Sequence, residues 1–131
     1  MMKMRAISLI FLLAFGIPLG AQSIRTTVDA LVRGDREYFN KNFTPQVSLT
    51  IEDQEQVVSK PEAIQKIMDF VQSMSIRSGK TIHEGVSKGK DSSMGIGSLL
   101  ADKSKYRVYV SFKTVEGAKL IHELRFEKDI L

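Results

Sequence analysis

The chain has no cysteine and no tryptophan, and only two histidines and three prolines among its 131 residues. Without cysteine there is no disulfide, no thiolate metal site and no lipid-bearing cysteine at a processing point. A domain built from this sequence is therefore stable through packing alone. His83 and His122 each lack a histidine or carboxylate two or four residues on, so neither starts a recognisable metal site, and no metal or cofactor is expected. Excess charge is also scarce: 19 Lys and Arg against 15 Asp and Glu leave +4. With both signs spread along the chain, that is too little to argue for nucleic acid or an anionic membrane. There is no repeat and no low-complexity tract. The one extended apolar run, Ala6–Gly20, is about 15 residues, short of the roughly 20 a membrane-spanning helix needs.

What is present begins with that run. Lys3 and Arg5 precede it, Ser8, Gly16 and Pro18 interrupt it, and small residues close it at Ala21. A charged start, an apolar middle and a small-residue end is the layout of a secretory signal peptide. Pro18 and Gly20 break the helix where a peptidase needs extended chain. Residues 1–21 are expected to be removed after Ala21, leaving 22–131 as a single small domain of about +2 charge. Such a protein would be exported, periplasmic or extracellular, with no stable membrane insertion after cleavage.

Ile24, Val28, Leu31 and Val32 recur at helical spacing, giving a helix over about Ser23–Arg33 with Ser23 as N-cap. Gly34 and Asp35 break it. A second helical segment, Arg36–Asn42, presents Tyr38, Phe39 and Phe43 to the core, and Pro45 is expected to end it. Val47, Leu49 and Ile51 alternate with Ser48 and Thr50 as a strand, Glu52–Glu55 is an acidic turn, and Gln56–Val58 returns. Ser59-Lys60-Pro61-Glu62 resembles a capping box at the head of a helix striped by Ile64, Ile67, Met68, Val71 and Met74, which Ser78-Gly79 closes. Four strands follow: Thr81–Ser87, Ser93–Leu100, Tyr106–Val115 and Lys119–Lys128. Helices first and a meander of strands after predict an α+β fold, with helices on one face of a mostly antiparallel sheet of five or six strands.

Strand alternation places His122 among Leu120, Leu124 and Phe126, on the face that meets the helices. There it would either line a cavity and act as a base, or sit as a core-edge histidine bonded to backbone or to Tyr106. His83 falls on a polar face with Thr81, Gly85 and Ser87. No serine stands in a nucleophile motif. Gly95-Ile96-Gly97 lacks the following helix of a phosphate loop and reads as a place where the sheet bends sharply. Glu123 and Glu127 oppose Arg107, Tyr109, Ser111 and Lys113 across strands. That spacing suits cross-strand ion pairs, each about 0.2–1 kcal/mol, or an anion-binding patch built on Arg107 and Arg125.

Several stretches resemble known proteins. Leu31-x-x-Gly34-Asp35-x-x-x-Phe39 is similar to the opening of α+β rolls like nuclear transport factor 2. His83-x-Gly85-x-Ser87, Ile96-Gly97-x-Leu99, Tyr106-Arg107-Val108-Tyr109 and Leu120-Ile121-x-Glu123-Leu124-Arg125-Phe126-Glu127 together resemble the bacterial domain-of-unknown-function family 4783. The resemblance covers nearly the whole of 22–131. It implies a cone-shaped roll, with N-terminal helices wrapped by a strongly curved sheet, in the cystatin-like superfamily, and no known activity. Some members of that superfamily are isomerases or dehydratases with an acid or base in the cone; others bind ligands or dimerise.

With the core-forming elements complete and no catalytic constellation, the expected function is non-enzymatic. The domain would bind a small apolar ligand or a protein partner, in a cone lined by His122, Tyr106, Leu124 and Phe39, or on its sheet, with a homodimer as one form. The alternative is a small isomerase or hydro-lyase using His122 as the base in the cone.

Overall fold

In the computed structural model, residues 23–87 and 92–129 are described, and the expected signal segment, 1–21, lies outside them. The first helix, α1 (Ile24–Arg33), starts where the sequence places it. Ser23 accepts from the Thr26 backbone N–H while the Thr26 hydroxyl serves the Ser23 backbone, a reciprocal cap. Its apolar stripe, Ile24, Val28 and Leu31, is fully buried. Asp35 caps α2 (Arg36–Asn42) by accepting from the Tyr38 N–H. That bond, with Arg33 beside it, holds the Asp35 carboxyl below the usual range.

Phe43 ends α2 and opens β1 (Phe43–Ile51), so this strand starts earlier than the Val47 expected. Pro45 does not terminate the helix. It sits where the pairing of β1 with its neighbour shifts register between Phe43 and Ser48, a place that tolerates a missing N–H. Glu52 and Asp53, both at positive φ, make the tight turn into β2 (Gln54–Ser59). The helix α3 (Lys60–Met74) is capped by Ser59, which accepts from the Glu62 N–H, with Pro61 in the first turn. It ends at Ser75 rather than at Ser78-Gly79, which belong to β3 (Ser78–Ser87). β4 (Ser92–Leu100), β5 (Lys105–Val115) and β6 (Ala118–Lys128) complete the sheet.

The six strands lie in the order β2-β1-β6-β5-β4-β3. Every pairing is antiparallel except β1 with β6, where the chain returns from its last strand to the side of its first. The three described helices pack on one face, α1 over β3 and β4 and α3 over β1 and β2. Between the two layers lie Phe39, Leu49, Ile67, Val108, Val110, Leu124 and Phe126, all at 0% exposure. The fold is thus the α+β arrangement that the order of elements implies.

Gly95 and Gly97 have a role that the bend reading missed. Both are buried on the helix-facing side of β4, where a Cβ on Gly95 would lie 2.6 Å from Ile24 Cβ and one on Gly97 would lie 2.5 Å from Val28 Cγ2. The missing side chains let α1 rest its β-branched residues directly on the strand backbone.

Candidate functional site

The face of the sheet turned away from the helices is built by alternation. On β5, Tyr106, Val108, Val110 and Phe112 point to the core, which turns Arg107, Tyr109 and Ser111 outward. Register then aligns one outer row across the sheet: Thr50, Arg125, Tyr109, Ile96 and His83. The Arg125 guanidinium stacks over the Tyr109 ring at 4.4 Å and bonds Glu127 at 3.2 Å. Arg107 flanks Tyr109 on the adjoining row and pairs with Asp129 at 3.7 Å. A hydrogen bond to the Tyr109 side chain and the Asp129 charge further favour its cation. Arg107 and Arg125 therefore do share one patch, but each carries its own carboxylate. Met94 and Ile96, half-buried, continue the patch onto β4.

Of the four residues expected to line a cone, three are packed into the core and His122 is apart from them. Tyr106, Leu124 and Phe39 are packed at 2%, 0% and 0% exposure. The Tyr106 ring meets Phe70 edge-on at 5.1 Å and its hydroxyl donates to the Met74 sulfur. None of the three borders the hollow beside His122 or the hollows at Phe70 and Lys66, at Gly79 and Lys105, and at Arg25 and Glu84.

His122 is a correction. Ser111 pairs with Glu123 and Phe112 with Ile121, so His122 is the extra residue of a β-bulge. The bulge flips the alternation: Ile121, fully buried, takes the inward place beside Leu124, and Leu120 becomes half-exposed. His122 instead joins the outer-face residues Ser92, Met94, Ser111 and Glu123 around a hollow of about 270 Å³. It is not in the cone and cannot serve there as a base. The sequence does carry a signal for this. Strict alternation would set apolar Ile121 among Glu123, Arg125 and Glu127, and an extra residue resolves that conflict.

His83 is exposed, on an edge strand whose pairing shifts twice between Thr81 and Val86. Among the described residues no group of three His, Asp or Glu side chains is arranged to hold a metal ion. No described helix is long and apolar enough to cross a membrane.

A family model for a domain of unknown function, DUF4783, matches residues 24–127. The chain belongs to that family. Solved DUF4783 proteins share its architecture. One from Bacteroides ovatus is 25% identical with a TM-score of 0.73, over 88% of this chain and 97% of that one. Another, from Bacteroides fragilis, is 26% identical with a TM-score of 0.71, over 86% and 99%. Beyond the family, an NTF-2 like protein of unknown function from Silicibacter pomeroyi is similar in fold, with a TM-score of 0.57 at 17% identity, over 79% and 87%. Among curated proteins none matches. The DUF4783 domain of this chain is thus an NTF2-like fold.

Proposed function

We propose that this DUF4783 chain is an exported, non-enzymatic binding domain that meets a protein partner across the outer face of its sheet. The observation that carries the reading is Tyr109. It is half-buried on the central strand β5, stacked by Arg125, flanked by Arg107 and bordered by Ile96 and Met94. Tyr, Arg and Met on one such patch are the residue types enriched at protein interfaces. Close packing around Tyr106, Leu124 and Phe39 favours a surface partner over a small apolar ligand held inside. The charged start and apolar run before Ala21 support export.

The partner that fits is a second copy of the chain. Arg107 with Asp129 and Arg125 with Glu127 leave the patch close to neutral, so two such faces meet without like-charge repulsion, in the self-complementary manner of a two-fold dimer. Sedimentation velocity tests this. The chain is expected to sediment as a dimer and Tyr109→Glu as a monomer with unchanged thermal stability. A wild-type chain that stays monomeric at high micromolar concentration would refute self-pairing.

A further inference from the structure

We propose that the hollow beside the β6 bulge is a binding site for a single neutral, hydroxyl-rich ring, that is, one sugar unit. The bulge at His122 places two consecutive polar side chains, His122 and Glu123, on the rim of one hollow, where regular alternation would send them to opposite faces. Ser111 and Ser92 face them from β5 and β4. No hydrogen bond or ion pair joins the side chains of Ser111, His122 or Glu123 to another described residue. Elsewhere on the same face Arg107 is paired with Asp129 and Arg125 with Glu127, while Lys113 is exposed to solvent. At Ser111, His122 and Glu123 the hollow therefore gathers polar groups whose bonding capacity is unspent, on strand backbone that fixes their positions.

The chemistry of the set selects the ligand. Glu123 accepts, an imidazole such as that of His122 offers a donor nitrogen, and the Ser111 hydroxyl both donates and accepts. That mixture matches ring hydroxyls, which also do both. The Glu123 carboxylate disfavours an anion, and among the described residues no arranged trio of ligating groups favours a metal ion. Met94 adds an apolar, adaptable wall for the C–H face of a ring. At about 270 Å³ the volume lies just under the range of drug-sized pockets, about 300–1,000 Å³, and admits one ring. Met94 borders both this hollow and the patch at Tyr109, so the titration is run on the wild type and on Tyr109→Glu, in which the hollow stays open whether or not the wild type pairs.

The test is an NMR titration of the full chain with glucose, N-acetylglucosamine, maltotriose and, separately, inorganic phosphate, following the His122 ring and the Ser111 and Met94 amides. The expected result is saturable shifts at these positions with a millimolar Kd for at least one sugar. Glu123→Gln and Ser111→Ala, both partly exposed positions that keep the fold, should each weaken binding about tenfold or more. A tighter Kd for maltotriose than for glucose marks the end of a glycan as the source; the reverse order marks a free monosaccharide. Absence of saturable shifts with all three sugars overturns the proposal. So does phosphate moving the same resonances with equal or higher affinity, or sugar binding that both variants retain.

Discussion

Alanine at Gly97 would bring a methyl carbon to 2.5 Å from Val28 Cγ2, where carbon pairs rest at about 3.5–4.0 Å. Neither side yields easily. Val28 is β-branched and held to essentially one rotamer in a helix. The Lys80 carbonyl oxygen and Val108 Cγ1, each at 3.3 Å, block the new methyl from moving aside. Relief requires α1 to lift from β4 by roughly an ångström, and overpacking of this kind costs about 1–3 kcal/mol. For a domain of this size that is a fall in Tm of about 5–20 °C. Val28→Ala alone removes both γ-methyls and should cost about 2–3 kcal/mol. The double variant decides the mechanism, because the methyl introduced at position 97 then occupies space that Val28 has vacated. Its stability should match Val28→Ala alone, so the coupling equals the cost of Gly97→Ala, about 1–3 kcal/mol, in urea unfolding at unchanged m-value. Strict additivity of the two losses, or a neutral Gly97→Ala, would refute the reasoning that the glycine exists to seat the helix.

Three further outcomes can be checked, two from the structure and one from the sequence. Tyr38→Phe removes the hydroxyl that bonds Thr26 and buried Thr27 at 2.9 Å each, and should cost about 1–2 kcal/mol in thermal or urea unfolding. Asp35 titrates lower in the folded chain than its ordinary 3.8 because it accepts the Tyr38 N–H at the head of α2, beside Arg33. Its contribution is therefore full above that ordinary value and is lost as pH falls through the lower, folded one. Asp35→Asn, which keeps the cap without the charge, should flatten that part of an acid-unfolding curve, while Asp35→Ala should weaken the fold at neutral pH as well. Mass spectrometry of the chain recovered from outside the cytoplasm should find Gln22 as its first residue; an intact Met1 there would contradict cleavage.

The parts of the fold legible in the sequence are those fixed locally. Ser23 as a cap, the α1 stripe and the alternation of β5 all follow from one element's own residues, and each stands as the pattern implies. Pro45 misled because its effect depends on a neighbour: a missing N–H ends a helix in isolation but is harmless where β1 and β6 lose register. The glycines of β4 look like a bend until α1 is laid across them. His122 misled for the same reason. A bulge is a relation between two strands, and only the register of β5 against β6 reveals that Ile121 and not His122 faces inward. The outer patch was half legible, since alternation put Arg107 and Arg125 on one face, while the stacking on Tyr109 and the carboxylates committed to each arginine need three dimensions.

An interior filled by its own side chains turns binding to the outside of the sheet. Methyl-resolved NMR during a titration with toluene tests this most directly. The prediction is that the methyls of Val108, Val110, Leu124 and Ile67 stay unmoved up to the solubility limit. Saturable shifts confined to those buried methyls would reveal an apolar chamber between the helices and the sheet, and would contradict the account.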